Sequence, residues 1–366
     1  SMSKQQKTRL EAIGGHFIVG LTGTNLTAVE RKHLGELNPT GIILFAYNCA
    51  KEDPDWPRQT RELRAEVEAT LERSVLFSID HEGGKVHRLP APVTKFPAAR
   101  DWRTFAGDVG AAMGTELSAL GFNLNFAPVL DVDSEASNPV IGARSFSTDA
   151  LMVAAAGVEF MKAMQAQGVL ACGKHFPGHG ATTTDSHLTL PTVQDDSDTI
   201  LNRDVAPFLA LMQAGLKMIM TAHVLYPALD ADKPATVSHK ILTELLRDQL
   251  KFSGVIISDA LEMRALDYLS RGELAEAAIS AGVDLLLLGQ NRQGTPLEDA
   301  LEMAETLEAT RTRSAAFKQL CHESGIRRSH FKKGLPRLDE TRAWADVLGC
   351  KRHQELLQRI SSTVSK

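Results

Sequence analysis

The chain repeats one pattern from its start almost to residue 290, in which a short apolar run is followed by a longer segment with helical spacing. The runs are four to six residues long and nearly free of charge, which is typical of parallel strands buried on both faces. The predicted strands are His16–Val19, Gly41–Leu44, Val75–Ile79, Asn123–Phe126, Val169–Cys172, Met218–Thr221, Val255–Ser258 and Val283–Leu288. Apolar residues at helical spacing predict helices between them, among which are Thr60–Leu71, Leu151–Gln167 and Ile241–Leu250.

Eight such units within about 290 residues predict an α/β fold with the size of a single (β/α)8 barrel of the TIM type. A doubly wound sheet is disfavoured, because neither GxGxxG nor GxxxxGK[ST] occurs in the chain. We expect residues 1–310 to form the barrel and residues 311–366, which are charged and helical in pattern, to form a C-terminal extension packed on it.

Charge and composition favour a small-molecule partner. The 40 basic and 45 acidic residues give a net charge of −5 without a block of like charges, so no nucleic-acid partner is expected. No apolar run reaches the length of a membrane span, and no secretory segment follows the polar first residues. With four widely spaced cysteines, these features predict a cytoplasmic protein with reduced thiols, and we expect a monomer.

Ionisable side chains stand at five of the predicted strand ends. They are Asp80, Asp131, Lys174, His223 and Asp259. Active sites of (β/α)8 barrels lie where the strands end and the following loops begin. The sequence therefore predicts one polar site at this end of the barrel.

The segment that follows the fifth predicted strand is the richest in chemistry. Asp185 and His187 are two residues apart, so in an extended segment they share a face and can form an oriented acid–base dyad. The same residues could instead cap turns in a surface loop. The three histidines of this segment, His175, His179 and His187, leave a zinc site open as an alternative.

Two aspartates have several possible roles. Asp259 ends a strongly apolar strand, where a partly desolvated carboxylate could be a nucleophile, a metal ligand, a general base or a helix N-cap. Asp80 has the same range of roles, and Gly83 and Gly84 behind it allow the backbone to approach a ligand closely.

Longer motifs carry a resemblance to a known family. Residues 174–180, KHFPGHG, followed by Asp185, Ser186 and His187, resemble the signature of family 3 β-N-acetylhexosaminidases of the NagZ type, which act in peptidoglycan recycling. Residues 80–88 (DHEGGKVHR), 123–132, 138–146 and 257–263 are similar to further motifs of this family, and the resemblance runs from about Gly14 to Gly289. His81 and Lys85 depart from the family's usual Gln and Arg, and Ala260 agrees with only some members.

The resemblance implies a retaining glycosidase that removes terminal, non-reducing β-linked N-acetylglucosamine. Asp259 is then the nucleophile, and His187, oriented by Asp185, is the acid–base group. The sugar-binding residues it implies are Asp80, Arg88, Arg144, Lys174 and His175, with no metal and no cofactor. A muropeptide in which N-acetylglucosamine is joined to anhydro-N-acetylmuramic acid is the expected substrate.

Other functions remain open at this level. A family 3 glycosidase could prefer another sugar or use phosphate in place of water. A barrel hydrolase could depend on a metal held by the histidines. A sugar-binding protein without turnover is also conceivable, as is a mechanism in which the substrate's own N-acetyl oxygen attacks.

Overall fold

The computed structural model describes residues 3–4, 13–182, 190–262, 269–337 and 343–366. Its strands are β1 (Phe17–Gly20), β2 (Gly41–Leu44), β3 (Leu76–Ile79), β4 (Leu124–Asn125), β5 (Leu170–Ala171), β6 (Gly173–Phe176), β7 (Met218–Thr221), β8 (Val255–Ile257) and β9 (Leu286–Leu288). Besides the π-helical turn Ile200–Asp204, its helices of four or more residues are α1 (Ala28–Leu37), α2 (Trp56–Leu71), α3 (Ala99–Trp102), α4 (Ala106–Ala119), α5 (Ala150–Ala166), α6 (Ala206–Gln213), α7 (Lys240–Gln249), α8 (Arg271–Ala281), α9 (Pro296–Arg313), α10 (Ala315–Lys333), α11 (Trp344–Val347) and α12 (Lys351–Val364).

The chain forms two compact units, residues 1–78 with 236–334 and residues 79–235 with 335–366. In the first unit, β1 pairs in parallel with both β2 and β9. Ile257, at the end of β8, forms a parallel bridge with Leu285, which precedes β9. Every residue of these four strands is buried, which explains why their sequences are continuously apolar.

The second unit is built in the same way. β4 pairs in parallel with β5, and β6 pairs in parallel with β7. Val129 forms a parallel bridge with Lys174 in the middle of β6, so β6 has a neighbour on each side. All four residues of β6 are buried, although two of them are Lys174 and His175. Two polar side chains in a buried strand need partners, and their partners define the site described below.

The parallel strands alternating with helices confirm the predicted α/β class, and the order of the elements is that of the predicted (β/α)8 barrel. Each of the eight predicted strands coincides with a strand to within a few residues. The fifth differs most, because the prediction stops at Cys172 and the structure continues in β6 to Phe176. Lys174 and His175 therefore lie in a strand and not in the loop after it.

Helix ends follow capping chemistry. Thr27 before α1 and Ser270 before α8 each form a capping box with a glutamate three residues later. α2 begins at Trp56, earlier than the predicted Thr60, with Pro57 in its first turn. The helix predicted at Ile241–Leu250 is α7, whose hydrogen bonds follow the wider π pattern.

The C-terminal helices are divided between the units. α9 and α10 belong to the first unit, and α11 and α12 to the second. In the second unit, His353 of α12 bonds through Nδ1 to Glu116 of α4, and Glu116 also accepts from the backbone nitrogen and the hydroxyl of Thr94. The domain boundary between residues 310 and 311 stays a prediction.

The thiols of Cys49, Cys172 and Cys321 are buried and that of Cys350 is partly exposed. Within the residues that the structure describes, no helix has both the length and the apolar content that a membrane crossing requires.

Candidate active site

A cluster of charged side chains forms at Lys174 in the second unit, in which Lys174 and Glu82 are buried. The ammonium of Lys174 lies 3.1 Å from Asp80 Oδ1 and 2.7 Å from Glu82 Oε2. Arg144 donates two hydrogen bonds to the same Glu82, from Nε to Oε1 at 2.9 Å and from a terminal nitrogen to Oε2 at 3.0 Å. Ion pairs therefore connect four side chains in a row, in the order Asp80, Lys174, Glu82 and Arg144.

The protonation states in this cluster follow from its pairing. Burial opposes the charge on Glu82, but Lys174 and Arg144 outweigh it and hold the pKa of Glu82 far below its usual range. Burial likewise opposes the charge on Lys174, and the carboxylates of Glu82 and Asp80 raise its pKa above the usual value. Lys174 and Glu82 thus stay charged near neutral pH, which keeps fixed donors and acceptors at one place.

His175 is held by a second carboxylate. Asp131 is fully buried, and its Oδ1 accepts from the backbone nitrogens of His175 at 3.1 Å and His179 at 2.8 Å. Its Oδ2 lies 2.8 Å from Nδ1 of His175. Burial would raise the pKa of Asp131, but His175 and His179 lower it. An ionised carboxylate can only accept, so Nδ1 of His175 donates to Asp131.

Asp259 lies in the first unit, immediately after β8. Ser258 before it is tied to the next strand, because its backbone nitrogen donates to Leu285 O at 2.9 Å and its hydroxyl accepts from Leu287 N at 3.1 Å. The carboxylate of Asp259 is partly exposed and accepts from Ala260 N at 2.8 Å. The predicted nucleophile therefore stands on a fixed strand end with its side chain partly accessible.

Glu262 is a second carboxyl group on the same turn that sequence reasoning missed. Its Oε1 accepts from Gly289 N at 3.1 Å, just after β9. Burial raises the pKa of Glu262 to about 7. The sequence feature that could have indicated Glu262 is its spacing, three residues after Asp259.

The remaining predicted site residues are placed as follows. Arg88 is partly exposed in the second unit, and its sugar-binding role stays a prediction. His223 is buried two residues after the end of β7. Asp185 and His187 lie outside the described residues, so the predicted dyad stays a prediction. Among the residues that are described, no three His, Cys, Asp or Glu side chains are grouped as a metal site.

His81, the departure from the family's usual glutamine, is buried beside the ionic cluster. Its ring lies 5.3 Å from that of His87, measured between centroids. Its backbone is held on both sides by the side chain of Asn125, which donates to His81 O and accepts from His81 N, each at 2.9 Å. Burial lowers the pKa of His81 to about 3, so this ring is neutral in the folded protein.

This neutral histidine predicts an acid-sensitive stability. Below pH 6.5 the unfolded chain binds a proton at His81 that the folded protein does not, so the free energy of unfolding falls as the pH falls toward 3. For this group the loss is about 1.5 kcal/mol between pH 6.5 and pH 5. His81→Gln should remove that part of the pH dependence, as measured by urea unfolding at both pH values. The exposed His239→Gln should leave it unchanged, and a His81→Gln protein with the wild-type pH dependence would refute the assignment.

Known proteins resemble the chain over most of its length. The model of the glycosyl hydrolase family 3 N terminal domain matches residues 6–319, which include all of the strands. The beta-hexosaminidase of Methylococcus capsulatus is 39% identical over 320 residues, or 84% of this chain and 92% of that protein.

Two solved structures resemble it as well. A family 3 beta-N-acetylglucosaminidase from Paenibacillus has a TM-score of 0.85 and 34% identity, covering 99% of this chain and 68% of that one. NagZ from Neisseria gonorrhoeae, in complex with N-trifluoroacetyl-D-glucosamine, has a TM-score of 0.78 and 30% identity, covering 96% of this chain and 98% of that one.

Proposed function

The chain belongs to glycoside hydrolase family 3 and is a glycosidase of the β-hexosaminidase kind, and we propose that it is a retaining exo-β-N-acetylglucosaminidase. The observation that carries the proposal is the ionic cluster of Asp80, Lys174, Glu82 and Arg144, which holds donors and acceptors at one place, with Lys174 and Glu82 buried and Asp80 and Arg144 partly exposed. A monosaccharide offers hydroxyls in several directions and little apolar surface, so its recognition requires such groups.

In this proposal the sugar binds to donors and acceptors of the cluster that its ion pairs do not use. The ammonium of Lys174 has three hydrogens, and two of them serve Asp80 and Glu82. The third can donate to a sugar oxygen. Asp80 is the more exposed of the two carboxylates, and its remaining lone pairs can accept from sugar hydroxyls. His175, Arg144 and Arg88 complete the proposed binding set.

The reaction proposed is a double displacement. The carboxylate of Asp259 attacks the anomeric carbon while the bond to the leaving oxygen breaks and His187 gives that oxygen a proton. Water then attacks the glycosyl-enzyme and gives its proton to His187, which releases Asp259 and a sugar of retained configuration. An imidazole has an unperturbed pKa of about 6.5, so it can serve as acid and then as base near neutrality. Asp185 is proposed to orient the ring.

The substrate proposed is a muropeptide in which N-acetylglucosamine is joined to anhydro-N-acetylmuramic acid. One structural neighbour, NagZ, is described in complex with a glucosamine derivative, which supports this sugar as the ligand. The proposed setting is cell-wall recycling in the cytoplasm by a monomer.

The test is release of nitrophenol from nitrophenyl β-N-acetylglucosaminide by the intact chain, with and without a chelator. We expect turnover that the chelator does not change. His187→Ala should lower kcat/KM by about 10²-fold to 10⁴-fold, the usual contribution of one acid–base group. Loss of activity with the chelator would favour the metal-dependent alternative, and unchanged activity in His187→Ala would remove the proposed dyad.

A further inference from the structure

Asn138 is a buried amide that makes five hydrogen bonds in the second unit. Its Nδ2 lies 2.8 Å from His179 O, 3.1 Å from Gly180 O and 3.0 Å from Thr182 Oγ1. Its Oδ1 accepts from Val140 N at 2.9 Å and from Ile141 N at 3.1 Å. The side chain therefore joins two loops, one on its donor side and one on its acceptor side.

The loop on the donor side is the described beginning of the segment that leads to Asp185 and His187. Its backbone is held closely. Asp131 accepts from His179 N at 2.8 Å, and the hydroxyl of the buried Tyr226 donates to Gly178 O at 2.6 Å. A methyl group at Gly180 would lie 1.7 Å from Val132 O, so only glycine fits there.

Asn138 adds hydrogen bonds further along this loop, as far as Thr182. The two hydrogens of this amide are shared among three acceptors, which are the carbonyls of His179 and Gly180 and the hydroxyl of Thr182. Thr182 is the last described residue before the gap, and Asp185 is three residues further along the chain. Asn138 therefore holds the end of the described segment together with His179, whose carbonyl oxygen and Nδ1 each lie 3.1 Å from the hydroxyl of Thr182.

The loop on the acceptor side leads to the ionic cluster. Val140 and Ile141, whose nitrogens donate to Asn138, are followed by the turn Gly142–Arg144. Arg144 makes the two bonds to Glu82, which in turn binds Lys174. One amide therefore connects the residues proposed to bind sugar with the chain that leads to the residues proposed to move protons.

We propose that Asn138 is a positioning residue for the acid–base step. It sets where the chain leaves Thr182 toward Asp185 and His187, relative to the loop that carries Arg144. This role rests on the proposed function. It requires an amide, because a carboxylate of the same shape can accept from Val140 and Ile141 but cannot donate to the other loop.

The test compares substrates that need the acid to different degrees. Phenolate is a poor leaving group, so cleavage of a phenyl β-N-acetylglucosaminide depends on protonation of the leaving oxygen. Dinitrophenolate is a good leaving group and departs without a proton. The ratio kcat/KM reports binding and the glycosylation step, so it isolates the donation of the proton from the later use of the base. Asn138→Asp should lower kcat/KM by about 10²-fold for the phenyl substrate and by only a few-fold for the dinitrophenyl substrate.

Thr182→Val keeps the side-chain shape and removes one acceptor of Asn138, together with the bonds of that hydroxyl to His179. It should show the same selectivity with a smaller loss. It also provides the test if Asn138→Asp does not fold. The exposed Ser137→Ala is the matched control and should resemble wild type with both substrates. Equal losses with both substrates in the folded variants would overturn the positioning role. His187→Ala separates the two proposals, because equal losses there would instead overturn the proposed dyad.

Discussion

Asp259→Ala is expected to abolish glycosidase activity, with kcat/KM lowered by about 10⁴-fold or more, because the variant has no group to form the covalent intermediate. The carboxylate is partly exposed and one of its bonds is to the adjacent Ala260 N, so the thermal midpoint should change little. The measurement is kcat/KM with nitrophenyl β-N-acetylglucosaminide, accompanied by a melting curve.

A matched control variant and an added small nucleophile test whether the loss of activity is specific to Asp259. Asp248→Ala removes an exposed aspartate of the same unit and should keep full activity. Azide added to Asp259→Ala should restore release of nitrophenol and give a glycosyl azide of inverted configuration, since azide then attacks the face that Asp259 occupies. Substantial activity of Asp259→Ala without azide would contradict the assignment and favour attack by the substrate's N-acetyl oxygen.

Lys174→Met is expected to have the largest effect on stability. The ammonium is buried and bonded to two carboxylates, so its removal leaves Asp80 without this partner and Glu82 with only Arg144. Breaking a buried ion pair by removing one partner costs about 3–5 kcal/mol in the free energy of unfolding. We also expect kcat/KM to fall by about 10²-fold or more, because Asp80 loses its position and the sugar loses a donor.

Two further variants help to explain the effect of Lys174→Met on stability. Lys162→Met replaces an exposed lysine of α5 and should alter neither stability nor kcat/KM. Adding Glu82→Gln to Lys174→Met removes the buried negative charge, so part of the stability should return, as a double-mutant cycle in urea unfolding would reveal. A Lys174→Met protein with wild-type stability would contradict the view that these ion pairs hold the cluster together.

Most of the strands could be predicted from the sequence because they are buried on both faces and therefore largely apolar. β2 and β7 were predicted to the residue. β6 could not be, because Lys174 and His175 interrupt the apolar pattern that the prediction relies on. They fit inside a strand only because Glu82, Asp80 and Asp131 satisfy them, and these partners lie at least 44 positions away in the sequence.

The candidate site was predictable in its composition but not in its pairing. Asp80 and Lys174 were expected at strand ends and the family resemblance added Arg144, and in the second unit these three are linked through Glu82. Asp131 was expected at a strand end, but its bond to His175 was not, and the role of Glu82 was missed, since neither pairing leaves a local pattern. The roles of Asn138 and Glu262 were also missed, because each bonds to a segment that lies far along the chain.

The measurement that tests the central claim most directly is covalent trapping. A fluorinated N-acetylglucosaminide that forms the glycosyl-enzyme quickly and hydrolyses slowly should add one sugar to the chain, seen by mass spectrometry of the intact protein. After digestion, the added mass should lie on the peptide that contains Asp259, and Asp259→Ala should acquire none. Turnover of the reagent without an adduct, or an adduct on another residue, would contradict a double displacement through Asp259.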